Sequence, residues 1–228
     1  MKQLFATLLL LAFFLPFCKA QVVINEYSAA NLDAYADNYG EFEDWFEIYN
    51  TTGAPVDLTG WFLSDKTSNP QKWAIPTGAI IPANGYLIVF CSGRSEISGG
   101  NIHTGFKLTQ TKTENIIIAD AAGTVIDDLS MDACQRGHSR ALTSDGGTVW
   151  GVDDSPTPGA SNNSVKTGYA TTPLFDLPSG YTAGGNLNIT SPDANVTIHF
   201  TTDGSSPNAG SPAVTGAINI AGLKFIEQ

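Results

Sequence analysis

Six acidic side chains lie within fifteen residues near the start of the chain, a density that is typical of calcium-binding loops. They are Asp33, Asp37, Glu41, Glu43, Asp44 and Glu47. Carboxylate oxygens are the hard ligands that Ca²⁺ prefers. The spacing, however, lacks the glycine and the closing bidentate glutamate of a D-x-D-x-D-G loop. Two interpretations stay open: a loop stabilised by calcium, or a solvated acidic face that binds no cofactor.

The histidines offer the residue types of zinc or hydrolase chemistry without the spacing. His103, His138 and His199 are far apart and have no H-x-x-x-H or C-x-x-C partner, so a zinc site is not expected. His138 and Ser139, with Asp127 or Asp145, could supply a Ser-His-Asp triad. No serine lies in a G-x-S-x-G elbow, and nothing in the sequence places these groups together.

Adjacent acid pairs and glycine-rich loops add no catalytic pattern. Asp127-Asp128 and Asp153-Asp154 would point to opposite faces of a strand, which does not suit an acid/base pair. Neither a Walker-type glycine pattern nor G-x-G-x-x-G occurs. The sequence therefore predicts no catalytic, cofactor-binding or metal-binding residue, and no enzyme.

Large aromatic side chains are the other feature that could bind a ligand. They are Trp45, Phe46, Tyr49, Trp61, Phe62, Trp73, Tyr86 and Phe90. Such residues supply the buried area that a β-sandwich needs, and we expect them to pack in a core. The alternative is that one or two tryptophans form a platform on which sugars stack.

The charge balance excludes one class of partner. The chain of 228 residues has 22 Asp and Glu against 11 Lys and Arg, and its pI is about 4.4. A nucleic-acid binder needs a basic face that neutralises phosphates. We therefore expect no nucleic-acid partner.

The first 20 residues, MKQLFATLLLLAFFLPFCKA, have the pattern of a cleaved signal peptide. A basic start precedes a short apolar stretch, and Gln21 is the predicted mature N-terminus. An anchor helix and a lipoprotein attached through Cys18 are weaker alternatives, the second because bulky Phe17 precedes the cysteine. No later segment is long and apolar enough to span a membrane. This predicts a secreted or cell-surface protein, in which Cys91 and Cys134 either form a disulfide or are unrelated cysteines.

After residue 20, the sequence predicts short strands separated by turns. The clearest are Val22–Ile24, Asp44–Asn50, Gly85–Cys91, Ile116–Ile118 and Val125–Leu129. Eight or nine such segments before residue 154, without a convincing helical face, predict an all-β sandwich or barrel. Phe106 and Leu108, Lys72–Ile75, Ser139–Leu142 and, after the linker, Val196–Thr201 are further predicted strands.

Eight motifs occur along the chain between residues 22 and 162: VVINEY (22–27), EDWFEIYN (43–50), DLTGWFLSD (57–65), WAIP (73–76), IPANGYLIVFCSG (81–93), HTGFKLTQTKTENIIIAD (103–120), HSRA (138–141) and SPTPGASN (155–162). Together they resemble a lamin tail domain of the secreted bacterial kind. The resemblance implies an immunoglobulin-like β-sandwich over residues 21–160, with no catalytic site of its own.

The Pro-, Ser- and Asn-rich composition after residue 154 predicts a linker, which we place at residues 161–172. Beyond it stand Pro173-Leu174-Phe175, Ser179-Gly180-Tyr181 and IHFTTDGSSPN (198–208). These motifs resemble the C-terminal β module of chitobiase and β-hexosaminidase, with Phe200 where a tyrosine is usual. The resemblance implies a partial β module at residues 173–228. Related pairs often precede a larger domain, so we expect a downstream domain.

These observations predict an exported, non-catalytic adhesion or scaffolding module that binds an extracellular glycan or protein partner and positions a downstream domain. One alternative is the N-terminal accessory region of a longer secreted enzyme, such as a hydrolase, a nuclease or a spore-coat-kinase-like protein. Another is a purely structural spacer.

Overall fold

A computed structural model describes residues 21–178, 180–221 and 224–226, so the predicted signal peptide lies outside the described residues. Contacts divide the chain into a first unit that ends at Thr167 and a second unit that begins at Gly168. Every regular element within the described residues is a β-strand. None of those residues belongs to a helix with the length and apolar character that a membrane span requires.

The first unit is an immunoglobulin-like β-sandwich of two sheets. Its strands are β1 (Val22–Ser28), β2 (Trp45–Asn50), β3 (Val56–Asp57), β4 (Phe62–Ser64), β5 (Trp73–Ala74), β6 (Ile80–Ile81), β7 (Tyr86–Phe90), β8 (Glu96–Ser98), β9 (Asn101–His103), β10 (Asn115–Ala119), β11 (Val125–Ser130), β12 (Ser139–Leu142) and β13 (Trp150–Asp153). The larger sheet has the order β13-β12-β1-β2-β7-β9-β8, and the smaller one β11-β10-β4-β5. Pairing is antiparallel except between β7 and β9, and β3 pairs with β6 apart from both sheets.

The two faces of β2 are buried by different parts of the chain. Phe46 and Ile48 belong to the hydrophobic core between the sheets. Trp45 and Glu47 lie on the opposite face, because successive strand residues alternate. Trp45 contacts the ring of Tyr35 there, at 5.9 Å between ring centroids, and Glu47 accepts a hydrogen bond from Gly159. This central strand is therefore buried on both faces, whereas its alternating sequence predicts only half-burial.

The tryptophans and cysteines contribute to packing. Trp45, Phe46, Trp73 and Phe90 are buried and Trp61 packs against the core, which confirms the packing prediction for these five side chains. The other three aromatics of the prediction are half-buried: Tyr49, Phe62 and Tyr86. Cys91 and Cys134 are both buried free thiols and do not form the disulfide that the sequence left open. Burial raises the pKa of the Cys91 thiol, as expected for an unreactive core residue.

Some strand predictions were wrong. Phe106 and Leu108 are buried in the core but lie outside any strand. The short polar segments of β8 and β9 lack an alternating pattern and were not predicted. In the second unit, the alternating segment Val196–Thr201 forms only an isolated bridge between His199 and Ala213.

The second unit consists of three two-stranded ribbons. Its strands are β14 (Leu174–Phe175), β15 (Gly180–Thr182), β16 (Gly185–Leu187), β17 (Ile189–Thr190), β18 (Ile218–Ile220) and β19 (Lys224–Ile226). β14 pairs with β17, β15 with β19, and β16 with β18. Leu187 is its sole buried hydrophobic side chain among the described residues. An open apolar groove of about 790 Å³ lies beside Phe175, Ile198 and Phe200.

Candidate functional site

The acids of the predicted calcium loop are dispersed over separate partners. Glu41 pairs with Arg94 at 2.5 Å, Glu43 with Lys107 at 2.8 Å, and Asp33 with Arg136 at 2.8 Å between nitrogen and oxygen. Glu47 lies on β2 and accepts a hydrogen bond from the backbone amide of Gly159. Nowhere in the described ranges do three or more His, Cys, Asp or Glu side chains gather in a group that could hold a metal ion. Three of the six acids are thus paired with bases.

Asp37 and His103 form a buried contact beneath this loop. Asp37 Oδ1 accepts the amides of Tyr39 and Glu41 at 2.8 and 2.9 Å, and its Oδ2 lies 3.9 Å from His103 Nδ1. Ser92 Oγ is 3.0 Å from the same Nδ1. In a catalytic triad the acid and the nucleophile use different ring nitrogens. Because both groups lie at Nδ1 here, the arrangement positions the loop and does not suit proton relay.

Ser139, Asp127 and Asp145, which the sequence offered for a Ser-His-Asp triad, each bind a different part of the protein. Ser139 Oγ donates to Glu26 Oε1 at 2.5 Å, inside the protein. Asp127 accepts the amide of Ile24 at 2.8 Å and that of Asp128 at 3.0 Å, and so joins β11 to β1. Asp145 accepts the hydroxyl of Tyr86 at 2.7 Å. Each group has a structural partner of its own.

The most elaborate polar arrangement holds residues 155–166, which we name the strap. Donors along the strap reach carboxylates of the sandwich. Ser155 N donates to Asp153 at 2.9 Å, Thr157 N to Glu26 at 3.0 Å, Gly159 N to Glu47 at 2.6 Å, Asn162 N to Asp145 at 3.1 Å, and Ser164 Oγ to Asp153 at 2.6 Å. Ser161 Oγ also donates to Asp145. The strap is therefore fastened along its length by the carboxyl oxygens of acidic side chains.

Glu26 and Glu47 lie at the centre of this network. They are directly opposite one another in the β1–β2 register, and both side chains are fully buried at 0% exposure. Glu47 also accepts Asn25 Nδ2 at 3.0 Å. Neither glutamate forms an ion pair with any described residue. Hydrogen bonds alone thus compensate for the burial of these two groups.

Asn162 closes the network from the strap side. Its Nδ2 donates to the carbonyl of Asn25 at 3.1 Å and to that of Leu142 at 2.9 Å. Its Oδ1 accepts from Thr157 Oγ1 at 3.1 Å. One buried amide therefore joins the strap to β1 and β12.

The sequence profile of the lamin tail domain matches residues 18–133, just over half of the chain. The chain belongs to the lamin tail domain family. The profile of the chitobiase/β-hexosaminidase C-terminal domain matches residues 177–227, in the second unit. A search of curated proteins found no match.

The lamin tail domain of this chain extends past its matched residues. β12, β13 and the strap come after residue 133, yet β12 and β13 are the outer strands of the larger sheet beside β1. Residues 161–166, predicted as the start of a linker, belong by their contacts to the same unit. Lys166 and Val152 exchange two backbone hydrogen bonds of 2.8 and 2.9 Å, so the strap also covers the free edge of β13.

The pKa values of the acids in the lamin tail domain are set by burial, which raises them, and by hydrogen bonds, which lower them. Desolvation raises the pKa of Glu47 to about 8, although Asn25 and Gly159 oppose the shift. Desolvation likewise raises the pKa of Glu26 against the hydrogen bonds of Ser139 and Thr157. At Asp145, burial also acts upward, but the hydrogen bonds from Ser161, Tyr86 and Asn162 outweigh it and lower the pKa. Burial therefore favours the protonated form of both glutamates of the pair.

Sequence reasoning missed this network because its partners are distant in the chain. Thr157 and Glu26 are 131 positions apart, and Gly159 and Glu47 are 112 apart. The strap contains two prolines and three serines, the composition of a linker that builds no core. The sequence contained one signal of this network. Glu26 and Glu47 are acidic residues within predicted strands that are otherwise largely apolar, and a buried acid needs polar partners.

Proposed function

We propose that the chain is an exported, non-catalytic adhesion or scaffolding protein. Its lamin tail domain binds an extracellular glycan or protein partner and positions a downstream domain. The apolar pattern of residues 1–20 supports export. The observation that carries the rest is the strap network, in which the buried carboxylates bind the protein's own backbone and fasten the segment by which the chain leaves the first unit.

A firmly held last segment suits a module that positions a later domain. The strap is joined to β1, β2 and β13 by hydrogen bonds and reaches Lys166, one residue before the unit ends. A flexible tether needs no buried carboxyl groups to bind its amides. A segment that must leave the first unit at a fixed position does need such bonds. This difference favours a positioning role over that of a simple flexible linker.

The loop between β1 and β2 supports binding to a partner. Asn31 holds it rigid, because its Nδ2 donates to the carbonyls of Tyr35 and Glu43 and its Oδ1 accepts the amide of Tyr35. Tyr39 is 46% exposed, and the guanidinium of Arg94 lies 4.3 Å from the centre of its ring. Binding residues commonly lie on loops held by a rigid scaffold, and tyrosine and arginine are enriched in interfaces.

Binding assays on the full chain test the proposal. Sedimentation with insoluble cell-wall polysaccharides and a glycan array would be run with the wild type, Tyr39→Ala and Tyr181→Ala, a matched control in the second unit. We expect wild type and Tyr181→Ala to bind alike and Tyr39→Ala to bind at least about tenfold more weakly, as when an interface anchor is truncated. Equal binding by both variants would refute the role of the loop. Release of soluble product from the same polysaccharides would refute the non-catalytic assignment.

A further inference from the structure

The glutamate pair beneath the strap is placed where two negative charges are unfavourable. Glu26 and Glu47 face each other directly across antiparallel strands, and neither has exposed surface. Like charges directly opposite one another destabilise a sheet, and the low dielectric of an interior strengthens the repulsion. When both groups are ionised, the closed strap therefore holds two buried like charges together.

Acids of the surrounding elements add to the negative field at this pair, and no base among the described residues forms an ion pair with it. Asp153 on β13 and Asp145 in the loop after β12 add to the negative field at Glu26 and Glu47 respectively. β7 contributes Tyr86, whose hydroxyl is bound to Asp145, and the first loop contributes Tyr35. The bases nearby have other partners, since Lys166 pairs with Asp154, Arg140 donates to the carbonyl of Ala133, and His138 interacts with Asp154.

We infer that the strap is a pH-sensitive latch, closed while the Glu26–Glu47 pair retains a proton and opened when both carboxylates are ionised. Opening lets water reach the two charges and relieves their repulsion, at the loss of the hydrogen bonds from Thr157 and Gly159. The core is unaffected because the strap covers β2 on the face opposite to Phe46 and Ile48. The latch itself does not depend on the proposed function. Only its consequence does, namely the release of the segment that leads out of the first unit.

Hydrogen exchange of the full chain tests the latch without any partner. Protection factors, corrected for the intrinsic effect of pH, would be measured at pH 6 and pH 8 for the strap amides of Thr157, Gly159 and Asn162. The core amides of Ile117 and Ile118 on β10 serve as the internal reference. We expect protection of the strap amides to fall about 100-fold over these two pH units, since one titrating proton changes an opening equilibrium about tenfold per unit. The core amides exchange through global unfolding, which exposes the same glutamates, so their protection also falls with pH but stays above that of the strap amides at both pH values.

Variants identify the group responsible. Glu47→Gln removes the titrating group and is expected to make strap protection nearly independent of pH. Glu26→Gln removes only the opposing charge and is expected to weaken the pH dependence in part, because Glu47 stays buried. Glu43→Gln, in the outer ion pair with Lys107, serves as the control and keeps the wild-type response. Tryptophan fluorescence verifies that each variant is folded. Constant strap protection in the wild type, strap amides as strongly protected as the core amides at both pH values, or an unchanged response in both strap variants would overturn the latch. A failure to bind glycans would leave these outcomes unaltered, so the two proposals fail separately.

Discussion

At the scale of single residues, the buried polar side chains of the lamin tail domain bind its own backbone. Glu26, Glu47 and Asn162 join the strap to strands β1, β2 and β12. Asp127 joins β11 to β1 in the same manner. A buried polar group is tolerated when its hydrogen bonds are complete, and it becomes costly when one partner is removed.

Asn162→Ala should therefore destabilise the domain. It leaves the carbonyls of Asn25 and Leu142 without their donor, and each buried unsatisfied group costs about 1–3 kcal/mol, so we expect a loss of about 2–4 kcal/mol. Asn163→Ala, the exposed neighbour, should change stability by less than about 0.5 kcal/mol. Urea unfolding followed by tryptophan fluorescence measures both. Equal stabilities of the two variants would show that the strap amide is dispensable.

The raised pKa of Glu47 also predicts how stability depends on pH. Its pKa is about 8 in the folded state, against an ordinary value of 4.5. Between these values the folded state keeps a proton that the unfolded state releases, so this group's contribution is greatest below pH 4.5 and declines as the pH rises toward 8. Free energies of unfolding at pH 5, 6, 7 and 8 should thus fall more steeply for the wild type than for Glu47→Gln. Parallel curves would contradict this assignment.

At the scale of elements, the strap protects an exposed sheet edge. Residues 165 and 166 lie so close to β13 that a Cβ added to Gly151 would lie 2.1 Å from the carbonyl oxygen of Lys166. An uncovered strand edge is a template for pairing with another chain. The glycine on β13 is therefore required for the close approach of the covering segment.

Gly151→Ala is expected to displace this cover. The added methyl group cannot coexist with the Lys166 carbonyl, so the bridge between Val152 and Lys166 should break and the edge of β13 should open. Size-exclusion chromatography should show new oligomers, and the amides of Val152 and Lys166 should lose protection from hydrogen exchange. Gly168→Ala is the matched control, because nothing lies within 4 Å of its added Cβ. A monomeric Gly151→Ala variant with wild-type protection would refute the edge-cover role.

The sequence alone predicted the elements whose periodicity is local and missed those that depend on distant partners. β1, β2, β7, β10 and β11 are apolar enough to be recognised. The alternation of Val196–Thr201 also predicted a strand, but only His199 finds a bridge partner. The strap network could not be predicted, because a proline-rich segment reveals nothing of the carboxylates that it meets more than 100 positions away.

At the scale of the whole molecule, the two units differ in how much apolar surface they bury. The first unit contains nearly all the buried hydrophobic side chains, whereas in the described part of the second unit Leu187 stands alone in that class. Because burial of apolar area is the main favourable contribution to folding, the second unit should be the less stable of the two.

Two spectroscopic signals separate the units. All four tryptophans lie at positions 45, 61, 73 and 150, so tryptophan fluorescence reports only on the first unit, while far-ultraviolet circular dichroism reports on both. In a urea titration we expect part of the circular dichroism signal to be lost at lower urea concentration than the fluorescence signal. Coincident transitions would show that the units unfold together.

The buried carboxylate of Glu47 offers the most direct test of the strap network. A ¹³C titration of the glutamate side-chain carboxyl groups, with the Gly159 amide shift monitored in parallel, gives its pKa in the folded protein. We predict that the Glu47 signal titrates with a midpoint of about 8 and that the Gly159 amide shows the same curve. A Glu47 midpoint near 4.5, together with a Gly159 amide shift that does not change during the titration, would contradict the claim that a buried acid fastens the strap.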